Sequence, residues 1–270
     1  MQIIGIINGK GGVAKTTTSA QLAQQFAAAG RRTCLVDWDG QGDLTRAMHS
    51  PREDATAKLT AALAAAKPRA LRSLARKVQD NLWIVRNGEP EDGAFQDALY
   101  ELRHTLGEEQ AVRRLRGLLG SGAQHFDLII IDSGPYQGFP RRMVLHAADH
   151  LVVPVQAQRA SIEGLANLTR FIESARAEGA PAQLCAILPA AVDDNLRLTS
   201  AMMRSLNQYY GGYVLRSYIR QDARLPESWD KHTLRRFASR KSAAAEDYRD
   251  AYVEIVNRLE RPAEAAEAAE

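Results

Sequence analysis

The residues best suited to chemistry form a glycine-rich run near the start of the chain, Gly9-Lys10-Gly11-Gly12-Val13-Ala14-Lys15-Thr16-Thr17. An apolar segment at residues 3–7 precedes this run and a helical pattern follows it, which predicts a strand, a turn and a helix in that order. Backbone N–H groups in such a turn point inward around phosphate oxygens, and the helix N-terminus adds positive charge. Lys15 supplies a cation, and the Thr16 hydroxyl is a ligand for Mg²⁺. The whole run is therefore predicted to bind a nucleoside triphosphate.

A second candidate group is an acid at the end of a hydrophobic strand. Residues 126–132 read Phe-Asp-Leu-Ile-Ile-Ile-Asp, which is the Walker B form. A carboxylate at the end of a strand near a phosphate-binding loop can hold Mg²⁺ directly or through a bound water. Asp132 is our candidate for that ligand, whereas Asp127, at the opposite end of the strand, is expected to be a turn residue.

Short apolar runs alternate with longer helical patterns along the chain. Strands are predicted at residues 3–7, 33–36, 82–85, 128–131, 150–155, 183–188 and 214–219, with helices between them, for example at 16–29, 161–177 and 195–209. This alternation predicts an α/β fold with a doubly wound, mostly parallel sheet and helices on both faces. Ligands in such sheets bind beyond the carboxyl ends of the strands. The glycine-rich run and the turns at residues 37–43 and 132–135 are therefore expected at one edge.

Length and composition are those of an ordinary globular protein. Of the 270 residues, 45% are hydrophobic and 25% are charged, and we expect one domain over residues 1–260 with a flexible acidic tail at 261–270. No apolar run approaches the roughly 20 residues that cross a bilayer, and no cleavable leader precedes the first strand. These features predict a cytoplasmic location.

Cys34 and Cys185 have the spacing of neither a metal site nor a disulfide framework.

Lys10 sets the loop apart, because an ordinary P-loop needs only the lysine before Ser/Thr. The residues resemble the deviant Walker A family of ParA and MinD ATPases, whose pattern K-G-G-x-G-K-T is met from Lys10 to Thr16 except that Ala14 replaces the last glycine. Residues 37–45 resemble the family's D-x-D-P-Q-G-N-x-T, with Gly40 for proline and Asp43 for asparagine. Three further segments match the family: the Walker B strand, residues 148–155 and residues 163–165. After the Walker B strand, Ser133-Gly134-Pro135 stands where the family has a P-P turn. The resemblance runs from residue 2 to about 259 and is weak between 51 and 124.

The resemblance implies an ATPase that uses ATP and Mg²⁺ and works as a homodimer in which two chains sandwich two nucleotides. Lys15 would bind the nucleotide of its own chain, and Lys10 would reach that of the other subunit. Asp39 would lie beside the γ-phosphate and Mg²⁺ and support hydrolysis, with Thr16 and Asp132 completing the metal site. A cation supplied in trans makes the dimer depend on an intact γ-phosphate. A helix-capping role for Asp39 and an exposed loop cation for Lys10 remain the alternatives.

Positive charge is concentrated in the C-terminal third. Residues 197–241 contain ten Lys or Arg against three acids, a net charge of +7, whereas the whole chain carries +3. Such a segment can bind DNA phosphates without reading bases. A solvated basic face is the alternative. The candidate DNA contacts are Arg220, Lys231, Arg235, Arg236, Arg240 and Lys241.

The leading functional hypothesis is a ParA-type ATPase that segregates a plasmid or chromosome. Its ATP-bound dimer would coat nucleoid DNA without sequence preference, and a ParB-like, centromere-bound partner would trigger hydrolysis. A MinD-like regulator at the membrane is the alternative, but the acidic tail lacks the basic amphipathic character that such docking needs, so no membrane partner is expected. An electron-transfer ATPase similar to the nitrogenase iron protein would need cysteines that ligate an iron–sulfur cluster, and Cys34 and Cys185 do not fit that requirement.

The base of the nucleotide is expected near Asp193-Asp194-Asn195 and residues 220–225.

Overall fold

A computed structural model describes residues 1–48, 59–65, 70–87, 93–156, 158, 160–193, 197–222, 224–225, 234 and 242–260. Within these ranges, seven strands form one sheet in the order β3-β4-β2-β5-β1-β6-β7. The strands are β1 (Gln2–Ile6), β2 (Thr33–Trp38), β3 (Arg76–Gln79), β4 (Leu82–Val85), β5 (Leu128–Ser133), β6 (His150–Gln156) and β7 (Gln183–Ala190).

All neighbouring strands are parallel except β3 and β4, which pair antiparallel at one edge. The central strands β2 and β5 are buried along their whole length, as expected of parallel strands that are covered on both faces. Their register pairs Asp37 with Asp132. The predicted doubly wound, mostly parallel sheet is therefore confirmed, and it brings two of the acidic positions side by side.

Helices cover both faces of the sheet. Side chains of α3 to α9 pack on one face, and those of α1, α2 and α10 pack on the other. Along β5 the two faces alternate, since Ile129 and Ile131 join the first layer and Ile130 joins the second. The helices are α1 (Lys15–Ala28), α2 (Asp43–Ala47), α3 (Leu59–Ala64), α4 (Leu71–Leu74), α5 (Ala94–Leu106), α6 (Glu108–Gly120), α7 (Phe139–Ala147), α8 (Ala160–Ala177), α9 (Arg197–Tyr210) and α10 (Ala243–Leu259).

The predicted strand at residues 214–219 is wrong. Within this segment one isolated bridge forms, from Val214 to Ile187 on β7. The backbone N–H groups of Arg216 and Ser217 donate instead to the carboxylate of Glu254 on α10. Because those donors are taken by a side chain, no continuous ladder forms.

One strand was not predicted, and one predicted helix boundary lies outside the described residues. The short hairpin strand β3 was missed, since its sequence Arg-Lys-Val-Gln has a single apolar residue. In the described part of the chain, helix α9 begins at Arg197. Its predicted start at Asn195 lies outside that part, and so does the tail at 261–270.

Among the helices of the described residues, none combines the length and apolar character needed to cross a membrane.

Candidate functional site

A cavity of about 660 Å³ opens where β1, β2 and β5 end. The predicted convergence is present, because the glycine-rich loop, the segment after β2 and the turn after β5 all contribute to its wall. Its volume is in the usual range for small-molecule sites. The cavity is lined by Gly11, Gly12, Ala14, Lys15, Thr16, Thr17, Asp39, Gln41, Asp43, Pro135, Ala191, Ile219, Arg220, Gln221, Asp222, Leu225 and Tyr248.

The glycine-rich loop leads directly into α1 through Ala14. This residue has φ 66° and ψ 26°, which is the left-handed conformation that L side chains rarely adopt. Gly12 also has a positive φ, at 73°, but without a side chain it adopts that angle readily. The loop is held against β6 because Gln156 Nε2 donates to the Gly12 carbonyl at 2.7 Å.

Lys15 lies inside the loop, with 7% of its surface exposed. Its Nζ donates to the carbonyl oxygen of Lys10 at 2.9 Å, so the side chain curls under the loop that it follows. Burial lowers the pKa of Lys15, and the carboxylates of Asp132 and Asp39 oppose that shift. A partly desolvated cation between carboxylates and inward-facing amides is suited to binding phosphate oxygens.

Lys10 points away from its own cavity. Its side chain is exposed, and Nζ donates to Gln158 Oε1 of the same chain at 2.8 Å. The backbone N–H of Lys10 is fixed by Asn8 Oδ1 at 2.9 Å. The two loop lysines thus face different directions, one towards the chain's own cavity and one towards its surface.

Asp132 is completely buried at the end of β5. Ser19 Oγ donates to its Oδ1 at 2.8 Å, and the Thr16 hydroxyl also hydrogen-bonds to this carboxyl group. The other oxygen, Oδ2, is buried without a hydrogen-bond partner among the described residues. Burial, reinforced by the adjacent Asp37, raises the pKa of Asp132.

The residues at this position fit a magnesium ion. The unpartnered Oδ2 atom of Asp132 and the neighbouring Thr16 hydroxyl are oxygen ligands of the type that Mg²⁺ prefers. The described residues contain no cluster of three or more His, Cys, Asp or Glu that could hold a metal by itself. Mg²⁺ commonly keeps several waters and uses one or two carboxylates together with substrate phosphates, so the site fits a cation that arrives with a nucleotide.

The segment after β2 contains two carboxylates with different partners. Asp37 is completely buried and accepts hydrogen bonds at Oδ2 from the backbone N–H and the hydroxyl of Thr45. Asp39 lines the cavity with 8% exposure, and its Oδ1 accepts from Gln41 N at 3.0 Å and from the Tyr136 hydroxyl at 2.9 Å. Asp37 therefore supports the segment, whereas Asp39 faces the space where a ligand would bind.

Sequence reasoning missed two residues of the segment that follows β5. Tyr136 binds Asp39, and Arg141 on α7 donates through Nε to the Tyr136 carbonyl at 3.0 Å. The NH2 atom of Arg141 is buried beneath Gly9, where a Cβ on that glycine would meet it at 2.5 Å. The replacement of a P-P turn by Gly134-Pro135 was the available signal that this segment differs from the family pattern.

The cavity lining also includes apolar side chains and part of the segment expected near the base. Ala191, Ile219, Leu225 and the ring of Tyr248 are apolar groups that line the cavity. Residues 220–222 also line it, whereas Asp193 does not, and Asp194 and Asn195 lie outside the described residues. A planar base would find apolar contacts here.

Arg220, a candidate DNA contact, is paired with an acid, although 40% of its side chain remains exposed. It donates to both carboxylate oxygens of Asp247 on α10, with NH2 to Oδ1 at 2.6 Å, and it lines the cavity. Contact between Arg220 and DNA stays a prediction. The other five candidates, Lys231, Arg235, Arg236, Arg240 and Lys241, lie outside the described residues.

Comparisons with known proteins agree with this architecture. The AAA domain family AAA_31 matches residues 1–183. The chromosome partitioning protein ParA of Myxococcus xanthus is 30% identical over 84% of this chain and 77% of its own length. The chromosome-partitioning ATPase Soj of Thermus thermophilus is 31% identical over 83% of each chain. This chain belongs to the ParA/MinD superfamily of P-loop ATPases.

Solved structures of other proteins have the same fold. Cobyrinic acid a,c-diamide synthase from Mycobacterium smegmatis, crystallised with an ATP analogue and magnesium, superposes with a TM-score of 0.78 at 23% identity and covers 96% of both chains. The septum site-determining protein MinD from Pyrococcus horikoshii, complexed with Mg-ADP, gives 0.74 at 16% identity over 98% of both chains. Proteins with different functions thus share this fold, and the function depends on the residues of the site.

Proposed function

We propose that this chain is a ParA-type ATPase that partitions a chromosome or plasmid through an ATP-dependent homodimer. The observation that carries the proposal is the arrangement of the two loop lysines. Lys15 is buried under the loop, whereas Lys10 starts from the same loop and extends to the surface. A surface cation beside a phosphate site can serve the nucleotide of a second copy of the chain.

ATP with Mg²⁺ is the cofactor pair that suits this cavity. Backbone amides of residues 11–17 and the Lys15 amine would bind the phosphates, while Thr16 and Asp132, with Asp39 nearby, would hold the metal. Bound Mg²⁺ would neutralise charge on the phosphate oxygens. Asp39, which lines the cavity, would orient a water molecule for attack on the γ-phosphate, a reaction that needs positioning more than covalent assistance.

The relatives and the charge distribution support DNA as the surface on which this ATPase works. Proteins named for chromosome partitioning match more than four fifths of this chain. The net charge of +7 at residues 197–241 supplies the electrostatic attraction that sequence-independent DNA binding requires. A ParB-like partner would stimulate hydrolysis and release the dimer, and the protein would be cytoplasmic and associated with the nucleoid.

Nucleotide binding and turnover can be tested on the full chain. Lys15→Ala should abolish ATP binding, because it removes the buried cation that faces the phosphates. The matched control is Lys77→Ala, which removes an exposed lysine on β3. ATP affinity is measured by titration. Wild-type affinity in Lys15→Ala would exclude the proposed phosphate site.

Turnover in the presence of DNA separates partitioning from other tasks of this fold. The wild-type ATPase rate and the sedimentation coefficient are measured with ATP, with random-sequence duplex DNA, and with both. We expect the rate and the particle size to rise together when both ligands are present. An ATPase rate and a sedimentation coefficient that do not change when DNA is added at modest salt would contradict the partitioning role.

A further inference from the structure

Two departures from the family pattern meet at one side chain. Gly40 and Gly134 stand where the patterns quoted above have proline, and they lie on different loops. A Cβ at Gly40 would lie 2.9 Å from the hydroxyl of Tyr136, and a Cβ at Gly134 would lie 2.4 Å from its ring. Either side chain would therefore displace this tyrosine. The two glycines together leave the space that Tyr136 occupies.

Tyr136 joins the segment after β2 to the segment after β5. Its hydroxyl donates to Asp39 Oδ1 at 2.9 Å and accepts from the backbone N–H of Gly40 at 2.9 Å. The hydroxyl therefore uses its donor and an acceptor position on two neighbouring residues of one loop. This arrangement fixes the direction of the Asp39 carboxyl group relative to its own backbone.

The tyrosine ring and backbone are themselves held by neighbours. The ring stacks on Phe95 of α5, with centroids 5.5 Å apart and planes at 29°, and Phe95 in turn meets the edge of Trp38 at 5.1 Å. Arg141 holds the Tyr136 carbonyl at 3.0 Å. A side chain fixed at both ends can orient the group that it binds.

The Tyr136 hydroxyl remains a hydrogen-bond donor over the working pH range. Burial and the charge of Asp39 raise the pKa of Tyr136 to about 12. Gln41 N also donates to Oδ1 of Asp39. Among the described residues, both hydrogen bonds to this carboxylate therefore fall on Oδ1, so Oδ2 can bind a water molecule in the cavity that Asp39 lines.

We propose that Tyr136 is the positioning residue for Asp39, and that Gly40 and Gly134 are the small residues that make its place possible. This inference rests on the proposed function, because Asp39 orients water only if the chain hydrolyses ATP. Tyr136 acts through Asp39 and binds no part of the nucleotide. It should therefore affect turnover and leave nucleotide binding unchanged.

The first test is Tyr136→Phe in the full chain, which removes the hydroxyl and keeps the ring on Phe95. We expect kcat to fall about tenfold, as when a well-oriented hydrogen bond to a charged group is lost, with KM and titrated ATP affinity within twofold of wild type. The matched control is Tyr100→Phe, since Tyr100 is 68% exposed on α5. An unchanged kcat, or a loss confined to KM and affinity, would overturn the inference.

The second test measures the space around the hydroxyl without nucleotide. Gly40→Ala places a Cβ against the Tyr136 hydroxyl, so it should lower Tm by roughly 3 °C or more in the wild-type background. In the Tyr136→Phe background the hydroxyl is absent, and the same change should cost at most half as much. Equal losses in both backgrounds would show that Gly40 does not make room for the hydroxyl.

The two failures are distinguishable. If the wild-type chain does not hydrolyse ATP, the proposed function fails and the positioning role fails with it. If the wild type hydrolyses ATP and Tyr136→Phe turns over equally fast, only the positioning role fails. The Tm comparison between Gly40→Ala in the two backgrounds is independent of hydrolysis.

Discussion

Ala14 shows how a single methyl group changes the phosphate loop. The family pattern has glycine at this position, and the structure places Ala14 in the left-handed region with φ 66°. For an L residue this conformation costs roughly 1–2 kcal/mol, because Cβ approaches the following carbonyl oxygen. Ala14 adopts this conformation where the loop leads into α1, so the replacement of glycine by alanine in the sequence corresponds to local backbone strain in the structure.

Replacing Ala14 with glycine should relieve this strain. We expect Ala14→Gly to raise the free energy of unfolding by about 1 kcal/mol, after allowing for the greater freedom of glycine in the unfolded chain. Ala29→Gly at the other end of α1 is the matched control, since Ala29 has an ordinary φ of −78° and should lose stability. Urea unfolding of the nucleotide-free proteins measures both. Destabilisation by both changes would contradict the account of Ala14.

The sequence predicted the residues whose types are dictated by phosphate and metal chemistry. Lys15 and Thr16 line one cavity, and Asp132 is buried next to Thr16. It did not predict Tyr136 or Arg141, because their roles depend on side chains that reach across from a neighbouring loop and helix. A motif records the spacing along the chain, whereas these contacts depend on how two segments pack.

At the scale of elements, buried parallel strands were the easiest to predict. The runs Thr33–Trp38 and Leu128–Ser133 are apolar until they reach the acids at their carboxyl ends. The segment at 214–219, Val-Leu-Arg-Ser-Tyr-Ile, has polar residues at its centre and forms no strand, since Glu254 takes the N–H groups of Arg216 and Ser217. Apolar composition predicts that a segment is buried. Which acceptor each backbone N–H group finds depends on the tertiary structure.

Asp127 links the start of β5 to the loop before β2. It accepts from the Arg32 backbone N–H at 2.9 Å and from the Arg32 guanidinium at 2.7 Å. The side-chain hydrogen bond from Arg32 lowers the pKa of Asp127. A depressed carboxyl pKa contributes stability above the unfolded value, near 4, and this contribution is lost as pH falls through the folded value.

Asp127→Asn should therefore be mildly destabilising at pH 7 and neutral at low pH. Both partners are more than a third exposed, so we expect a loss of Tm on the order of 2 °C or less at pH 7. The difference from wild type should shrink as the pH falls below the unfolded pKa, near 4. Thermal melts at pH 7 and at low pH measure it, with Asp80→Asn, whose side chain is 95% exposed, as control. A Tm difference that persists unchanged at low pH would mean that the charge is not responsible.

At the scale of the whole molecule, charge is distributed unevenly. The net charge of +7 at residues 197–241 contrasts with +3 for the entire chain, so the remainder is acidic. Of the candidate DNA contacts, Arg220 pairs with Asp247 beside the cavity. The cluster from Lys231 to Lys241 is the principal candidate for DNA binding, with Arg220 second.

Reversing two charges in this cluster should weaken DNA binding selectively. Arg235→Glu with Arg236→Glu changes the local charge by −4, and we expect affinity for random-sequence DNA to fall at least tenfold at modest salt. ATP affinity should remain that of wild type. Gel shifts at several salt concentrations measure the loss and its salt slope. Arg176→Glu with Arg170→Glu on α8 is a control of equal charge change outside the cluster. Equal losses in both double variants would indicate a general effect of net charge.

The central claim is that Lys10 serves a nucleotide held by a second copy of the chain. Sedimentation velocity tests it directly with Lys10→Ala, which lacks the surface amine, and with Lys77→Ala as control. We predict that wild type and Lys77→Ala form dimers with Mg²⁺ and a non-hydrolysable ATP analogue and are monomers with ADP. Lys10→Ala should bind the analogue and remain monomeric. Dimers of Lys10→Ala as abundant as those of wild type would contradict the account.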